Sequence, residues 1–210
     1  MRKPKEKSFN FKDLKIKIYP EVYDPSEDTF QLLESIKFQK NDFIFEIGCG
    51  CGIISLYLCK NAVNIISSDI NLYAYKNTVE NFKENKDKMK GSYDIRSGDM
   101  FSVLNKDEKF DIIIFNPPYL PELQDSKIKD IWFNKAVEGG KTGLKFTKIF
   151  VCNVKKFLKK EGSSYFVFSS ETNEEDLLKT IRKTKLDYKI VSTISYDSEK
   201  LKIFRLKNKN

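Results

Sequence analysis

Phe110-Asp111-Ile112-Ile113-Ile114-Phe115-Asn116-Pro117-Pro118-Tyr119 is the stretch from which the rest of the chain is read. Its first six residues are aromatic or β-branched with one charge near the start, too short a run for an ordinary helix. They predict a strand buried on both faces. Two prolines then end it: neither can donate a ladder hydrogen bond, and Pro117 pushes Asn116 toward extended geometry. The backbone therefore leaves the sheet at its carboxyl edge, where open α/β sheets bind ligands. There the Asn116 carboxamide oxygen and the Pro117 carbonyl offer two acceptors, and Tyr119 a flat ring, which suits a planar NH2 group. Such a nitrogen is a poor nucleophile because its lone pair is delocalised, so holding both its hydrogens orients it for reaction. A rigid turn with no chemistry is the other reading of these four residues, and the flanking sequence decides between the two.

Upstream, Phe43-Ile44-Phe45-Glu46-Ile47 predicts another buried strand, running into Gly48-Cys49-Gly50-Cys51-Gly52 and an apolar helix that carries Ile53, Ile54, Leu56 and Leu58. Strand, glycine turn and helix make a nucleotide-binding βα unit in which backbone approaches the ligand closely. Glu46 at the strand's end and Asp69, about twenty residues after the glycines, strengthen it, because an acid there accepts from ribose hydroxyls. The glycine spacing departs from the dinucleotide pattern and nothing is placed to hold a pyrophosphate, so an adenosine without phosphates is the expected ligand. Asn71 is the expected cap of a long helix, and Tyr93 to Arg96 a third strand followed by Gly98-Asp99-Met100. Asp99 is either an acceptor for an adenine amine, with Met100 packed on the ring, or an exposed turn aspartate.

Tyr23-Asp24-Pro25-Ser26-Glu27-Asp28-Thr29-Phe30 reads as a helix start with Ser26 or Asp24 as cap and an acidic pair at the N-terminus. Those roles leave Thr29 unexplained, unless that helix covers the site. Residues 1–19 are expected to form a basic, mobile tail, although Leu14 to Tyr19 alternates like a strand or an extended clamp. After Tyr119 a loop of about twenty residues is expected, Leu120 to Gly140. It ends in Glu138-Gly139-Gly140-Lys141-Thr142-Gly143, which is either a tight backbone approach or a flexible connector. A helix from Leu144 to Lys160 closing at Gly162, a strand Ser164 to Phe168, a helix capped by Asn173 and running to Lys185, and a hairpin of Tyr188–Ile194 with Leu201–Leu206 complete the reading.

Composition sets the outer limits. The 210 residues suffice for one domain, residues 20–210, and lack any apolar run of about 18 residues to span a membrane; a soluble, cytoplasmic protein is expected. With no histidine in the chain, Ser-His triads and His-ligated metals are excluded, and Cys49, Cys51, Cys59 and Cys152 show no metal spacing, so no metal is expected. The net charge of +8 comes largely from scattered lysines, with four arginines among 38 basic residues, which describes a solvated surface better than a nucleic-acid groove.

Five strands alternating with helices, followed by a helix and two strands, is the element order of the class I S-adenosylmethionine-dependent methyltransferases: α/β, a Rossmann-like, seven-stranded, mostly parallel sheet with a C-terminal antiparallel hairpin. The Glu27-Asp28-Thr29-Phe30, Glu46-Ile47-Gly48-Cys49-Gly50, Asp69-Ile70-Asn71, Asn116-Pro117-Pro118-Tyr119 and Gly139-Gly140-x-x-Gly143 segments resemble the HemK-like protein-glutamine methyltransferases. The likeness is strongest to the eukaryotic and archaeal branch, which modifies the Gly-Gly-Gln glutamine of class I release factors. It implies S-adenosylmethionine held by Thr29, Glu46, Gly48, Gly50, Asp69, Asp99, Met100 and Asn116. It implies a glutamine side chain gripped by Asn116, Pro117, Pro118 and Tyr119, with Asn116, Pro117 and Tyr119 as catalytic groups. It also implies a heterodimer with a small zinc-binding activator along the Tyr93–Arg96 edge. Cys49 and Cys51 depart from the family, whose members more often carry serine or alanine there. The alternative is an adenine-amine methyltransferase acting on DNA or RNA, which shares the Asn-Pro-Pro-Tyr segment.

Overall fold

Apolar runs of about five residues, spaced by amphipathic stretches, set the architecture. The computed structural model describes residues 6–122, 131–196 and 199–209. In chain order it contains β1 (Lys7–Phe11), β2 (Leu14–Ile18), α1 (Glu27–Ser35), β3 (Phe43–Ile47), α2 (Ile53–Lys60), β4 (Asn64–Asp69), α3 (Leu72–Glu84) and β5 (Tyr93–Ser97). There follow β6 (Phe110–Phe115), α4 (Ile131–Val137), α5 (Lys145–Asn153), β7 (Leu158–Ser169), α6 (Glu174–Arg182), β8 (Leu186–Tyr196) and β9 (Glu199–Asn208). Among the described residues, seven strands form one sheet in the order β5-β4-β3-β6-β7-β9-β8. The first five in that order are parallel, and β9 runs antiparallel to both β7 and β8.

The strand order reverses between β3 and β6, and Ile47 lies beside Phe115 in the register of that pair. The loops that begin at Gly48 and Asn116 therefore leave the sheet side by side, at the crevice where open sheets bind ligands. Both faces of the sheet are covered. Ile44, Ile65, Ile112 and Ile114 pack with residues of α1, α2 and α3, while Phe45, Ile66, Ile113 and Phe115 pack with α5 and α6. This is the two-faced burial predicted for β6, and each such side chain contributes about 1.5–3 kcal/mol.

From Lys7 onward, the segment expected as a mobile tail is a hairpin whose Leu14, Ile16 and Ile18 are buried in the core. Its attachment lies in α3. Asn77, Asn81 and Asn85, four residues apart, stand on one helix face and are almost completely buried. Lys15 N donates to Asn85 Oδ1 (2.9 Å) and Lys17 N to Asn81 Oδ1 (2.9 Å), while Asn85 and Asn81 Nδ2 donate back to the same residues' carbonyls (2.8 Å each). Tyr19 N donates to Asn77 Oδ1 at 3.0 Å. The carboxamides thus satisfy the backbone of β2 where a neighbouring strand would.

Other boundaries move for identifiable reasons. Ser26 precedes α1 without capping it; Asp28 Oδ1 accepts from Thr29 N instead, and Asp24 pairs with Lys7. The loop expected from Leu120 to Gly140 contains α4, with residues 123–130 outside those described. The helix expected to reach Lys160 ends at Asn153 with a short 3-10 turn over Val154–Lys156, and β7 starts at Leu158. Gly162 is a close approach within β7 rather than a helix stop: a Cβ there would lie 2.8 Å from Phe110 O, in the stretch where the β6–β7 register shifts. Helix α6 is capped by Asn173, which accepts from Asp176 N, but ends at Arg182. Asn71 caps α3 as predicted, and β8 and β9 form the predicted hairpin, with Asp197 and Ser198 of its turn outside the described residues.

Replacing Asn81 by Ala strands the Lys17 and Cys51 backbone groups that it serves. We expect a loss of about 3 kcal/mol in urea unfolding, read as a lower midpoint at unchanged slope.

Candidate active site

At the switch point lies a cavity of about 680 Å³. Thr29, Glu46, Gly48, Gly50, Asp69, Asp99, Met100, Asn116, Pro117, Pro118 and Tyr119 all line it, so the residues picked out in the sequence are brought together.

One end is built by the carboxyl ends of β3 and β4. Asp69 Oδ2 accepts from Gly50 N (2.9 Å) and its Oδ1 from Asn71 N (2.8 Å), so this carboxylate shapes the glycine turn and keeps lone pairs to spare. Gly48, Gly50 and Gly52 all have positive φ. Thr78 Oγ1 donates to the Gly50 carbonyl (2.9 Å) and Asn81 Nδ2 to the Cys51 carbonyl (2.8 Å), which ties the turn to α3. Glu46 is buried and accepts from Ser55 Oγ, which in turn touches Ser67 Oγ at 2.5 Å. Burial, and then the neighbouring charge of Asp69, push the Glu46 carboxyl up to about 8. Cys49 and Cys51 are buried thiols whose pKa values burial raises, so they are small wall residues rather than nucleophiles. Asp99 is exposed at the rim beside Met100.

The other end is built on the turn after β6. Asn116 Nδ2 donates to Asp28 Oδ2 at 3.0 Å, whereas Asn116 Oδ1 is buried and has no hydrogen-bond partner among the described residues. The Tyr119 hydroxyl also reaches Asp28 Oδ2 (3.3 Å), as does that of Tyr23 (3.2 Å). Burial and the Asp28 charge raise the pKa values of both tyrosines, keeping them protonated donors. The Thr29 hydroxyl donates to Asp28 Oδ1 at 3.1 Å. Asp28 and Tyr23 are the site residues that sequence reading missed. Asp28 looked like an ordinary helix-start acid; its signal was the adjacent Thr29, which that role left unexplained.

The Gly139 to Gly143 segment is a tight backbone approach and not a slack connector. Leu120 N donates to Val137 O (2.8 Å) and Gly139 N to Leu120 O (2.7 Å). A Cβ on Gly139 would fall 2.5 Å from Pro118 O, and one on Gly143, where φ is +71°, would fall 2.3 Å from Tyr119 O. The segment straps the Asn116–Tyr119 turn from behind. Around the mouth stand Glu122, Glu138 and Glu199, with Lys135 and Lys145. Together with Asp28, Glu46, Asp69 and Asp99 this makes seven acids against two lysines among the described residues, an acidic cavity in a chain of net charge +8 that favours a cationic ligand and disfavours phosphates.

A seven-stranded sheet of this order, with a glycine turn after one central strand and an acid closing the next, defines a class I S-adenosylmethionine-dependent methyltransferase. A family model, "Methyltransferase small domain", matches residues 27–190, and the chain belongs to that family, within its HemK-like protein-glutamine methyltransferase group. A Methanocaldococcus jannaschii protein named as a protein N5-glutamine methyltransferase is 36% identical over 191 residues, covering 90% of this chain and 93% of its own. Human methyltransferase HEMK2 is 30% identical over 179 residues, covering 80% of each. Among solved structures, Mtq2 of E. cuniculi, in the Mtq2–Trm112 complex responsible for methylation of the eRF1 translation termination factor, superposes with a TM-score of 0.67 at 19% identity. That match covers 90% of this chain and 99% of Mtq2, and it shows the shared fold.

Gly143→Ala adds a methyl in a left-handed conformation against the Tyr119 carbonyl. We expect roughly 2–4 kcal/mol of destabilisation, measured by thermal unfolding, and a loss of turnover larger than any loss of cofactor affinity.

Proposed function

We propose that this methyltransferase transfers a methyl group to the side-chain amide nitrogen of a glutamine in the Gly-Gly-Gln tripeptide of a class I release factor. The observation that carries this reading is Asn116: its amide NH2 is spent on Asp28, and its oxygen is buried and unpartnered among the described residues, on a residue that lines the cavity. That oxygen is an acceptor waiting for a donor, and with the Pro117 carbonyl it takes both hydrogens of a planar NH2 group. The relatives' names supply the choice of glutamine amide over adenine amine, and the acidic lining of the cavity supports it against a polyphosphate substrate.

S-adenosylmethionine is the methyl donor, and it supplies an electrophilic methyl on a cationic sulfonium. Asp69, with the lone pairs left over from Gly50 and Asn71, would hold the ribose hydroxyls, Glu46 the cationic methionine end, and Asp99 and Met100 the adenine, with Thr29, Gly48 and Gly50 completing that wall. Asn116 and Pro117 would accept the hydrogens of the substrate amide and so orient its nitrogen, and Tyr119 and Pro118 would wall the substrate. The methyl's bond to sulfur would be exchanged for one to nitrogen, and the surplus proton would pass from the then cationic nitrogen to water, so orientation replaces a strong base. A small zinc-binding activator would sit along β5, the edge strand, where Tyr93 is exposed. Release factors work in the cytoplasm, and the same reading puts this enzyme there; no described helix is long and apolar enough to cross a membrane.

The test is transfer of labelled methyl to a release factor, to its Gln→Ala tripeptide variant, and to total RNA and DNA. Label on the unmodified factor alone is expected, with Asn116→Ala about 100-fold or more slower at similar cofactor affinity. Label on nucleic acid alone would replace the glutamine reading with the adenine one.

A second expectation concerns pH. In the free protein Glu46 carries its proton up to about pH 8, and a cation beside it favours the ionised form. Binding then releases a proton below that pH. The cofactor's dissociation constant should fall as pH rises toward 8, by at most about tenfold per unit, and level off above it. Calorimetry in buffers of different ionisation enthalpy reads the proton directly, and Glu46→Gln should abolish the dependence.

A further inference from the structure

Asp28 is 2% exposed and lines the cavity beside Asn116 and Tyr119, where the reaction as described makes no use of it. Among the described residues, each hydrogen bond to it comes from a donor. Oδ1 accepts from Thr29 N at 2.6 Å and from the Thr29 hydroxyl at 3.1 Å. Oδ2 accepts from Asn116 Nδ2 at 3.0 Å and from Tyr119 Oη at 3.3 Å, and the Tyr23 hydroxyl reaches both oxygens at 3.2–3.3 Å. A carboxylate is an acceptor on all its lone pairs. If the Asn116 amide were rotated by half a turn, its oxygen would meet a carboxylate oxygen and its NH2 would face the cavity.

We propose that Asp28 is a positioning residue that sets the sense of the Asn116 carboxamide, forcing its oxygen into the cavity as an acceptor for the substrate NH2. The inference deepens the proposed function and rests on that reading for its substrate alone; the amide orientation belongs to the protein. One carboxylate thereby converts a side chain with both donor and acceptor ends into a pure acceptor at the reacting nitrogen. It explains why an acid is buried among two tyrosines and an asparagine when an N-terminal helix charge would ordinarily face solvent.

The isosteric Asp28→Asn variant is the informative one. Thr29 N, at 2.6 Å, keeps an oxygen on its own side of residue 28, so the new NH2 points toward Asn116. The Asn116 amide then turns over, and the socket presents a donor to a donor. The expected result is a fall in kcat of about 100-fold or more, with the cofactor's dissociation constant within about threefold of the parent. In the Asp28→Asn, Asn116→Asp double variant, the residue-28 amide donates to a carboxylate at 116, which still offers an oxygen to the cavity. It should recover about tenfold or more of the activity that Asp28→Asn loses, whereas Asn116→Asp alone, with two carboxylates face to face, should not.

A readout that needs no substrate runs beside these. In ¹⁵N-labelled protein, the Asn116 side-chain NH2 should be protected from hydrogen exchange in the parent and exposed to it in Asp28→Asn. Turnover of Asp28→Asn within threefold of the parent, no recovery in the double variant, or unchanged exchange at Asn116 would each overturn the assignment. Failure of the glutamine reading looks different: the parent itself would leave the release factor unlabelled, while the exchange experiment would still decide the role of Asp28.

Discussion

Three buried carboxamides on one face of α3 hold the rest of the site in place. Asn77, Asn81 and Asn85 pair with the backbone of β2, and from that anchored strand the chain passes through Tyr23 into α1, which carries Asp28 and Thr29 to the cavity wall. Asn81 also donates to the Cys51 carbonyl in the glycine turn. One helix face therefore fixes two walls of the cavity at once: the glycine turn after β3 and the helix start that carries Asp28 and Thr29. A buried carboxamide is suited to this because it offers a donor and an acceptor in the spacing of a peptide group, and so can stand in for a missing strand.

The charge distribution follows a similar division. Lysine-rich exposed positions give the chain its positive balance, but the carboxyl ends of β3 and β4, the start of α1 and the loops over the mouth bring carboxylates together. Burying carboxyl groups in a concave, partly dehydrated site raises the pKa values of Glu46 and Asp69 through lost hydration, with the Asp69 charge adding to the effect on Glu46. A positive ligand arriving beside such a group favours its ionised form and so offsets that cost.

Much of this was legible from local sequence. The two-faced strand Phe110–Phe115, its termination by prolines, the glycine turn and the acid at position 69 all follow from residue types acting over a few neighbours, and the sheet forms as those signals require. The parts that were not legible depend on partners far away in the chain. Asp28 reads as a helix-start charge until Asn116, 88 residues on, is seen beside it. Residues 7–11 are polar enough to pass for a tail, and it is the pairing with β2, itself held by the α3 asparagines, that makes them a strand. The Val154–Gly162 stretch has helix-like apolar spacing, but the bulge against Phe110 and the close approach at Gly162 belong to the neighbouring strand, which sequence periodicity cannot see.

The separation of those partners bears on how the molecule is made. Gln31 of α1 hydrogen-bonds to the Leu201 carbonyl of β9, 170 residues away, and β9 inserts between β7 and β8. Contacts this distant form only after much loop-closure entropy has been overcome, so they arrive late. β3, β4 and the glycine turn between them close short loops, and α1 already meets Phe11 of β1 through Phe30, but its Gln31 does not meet Leu201 until β9 is in place. The cavity therefore joins a wall made of near neighbours in the chain to one whose support comes from both ends of it.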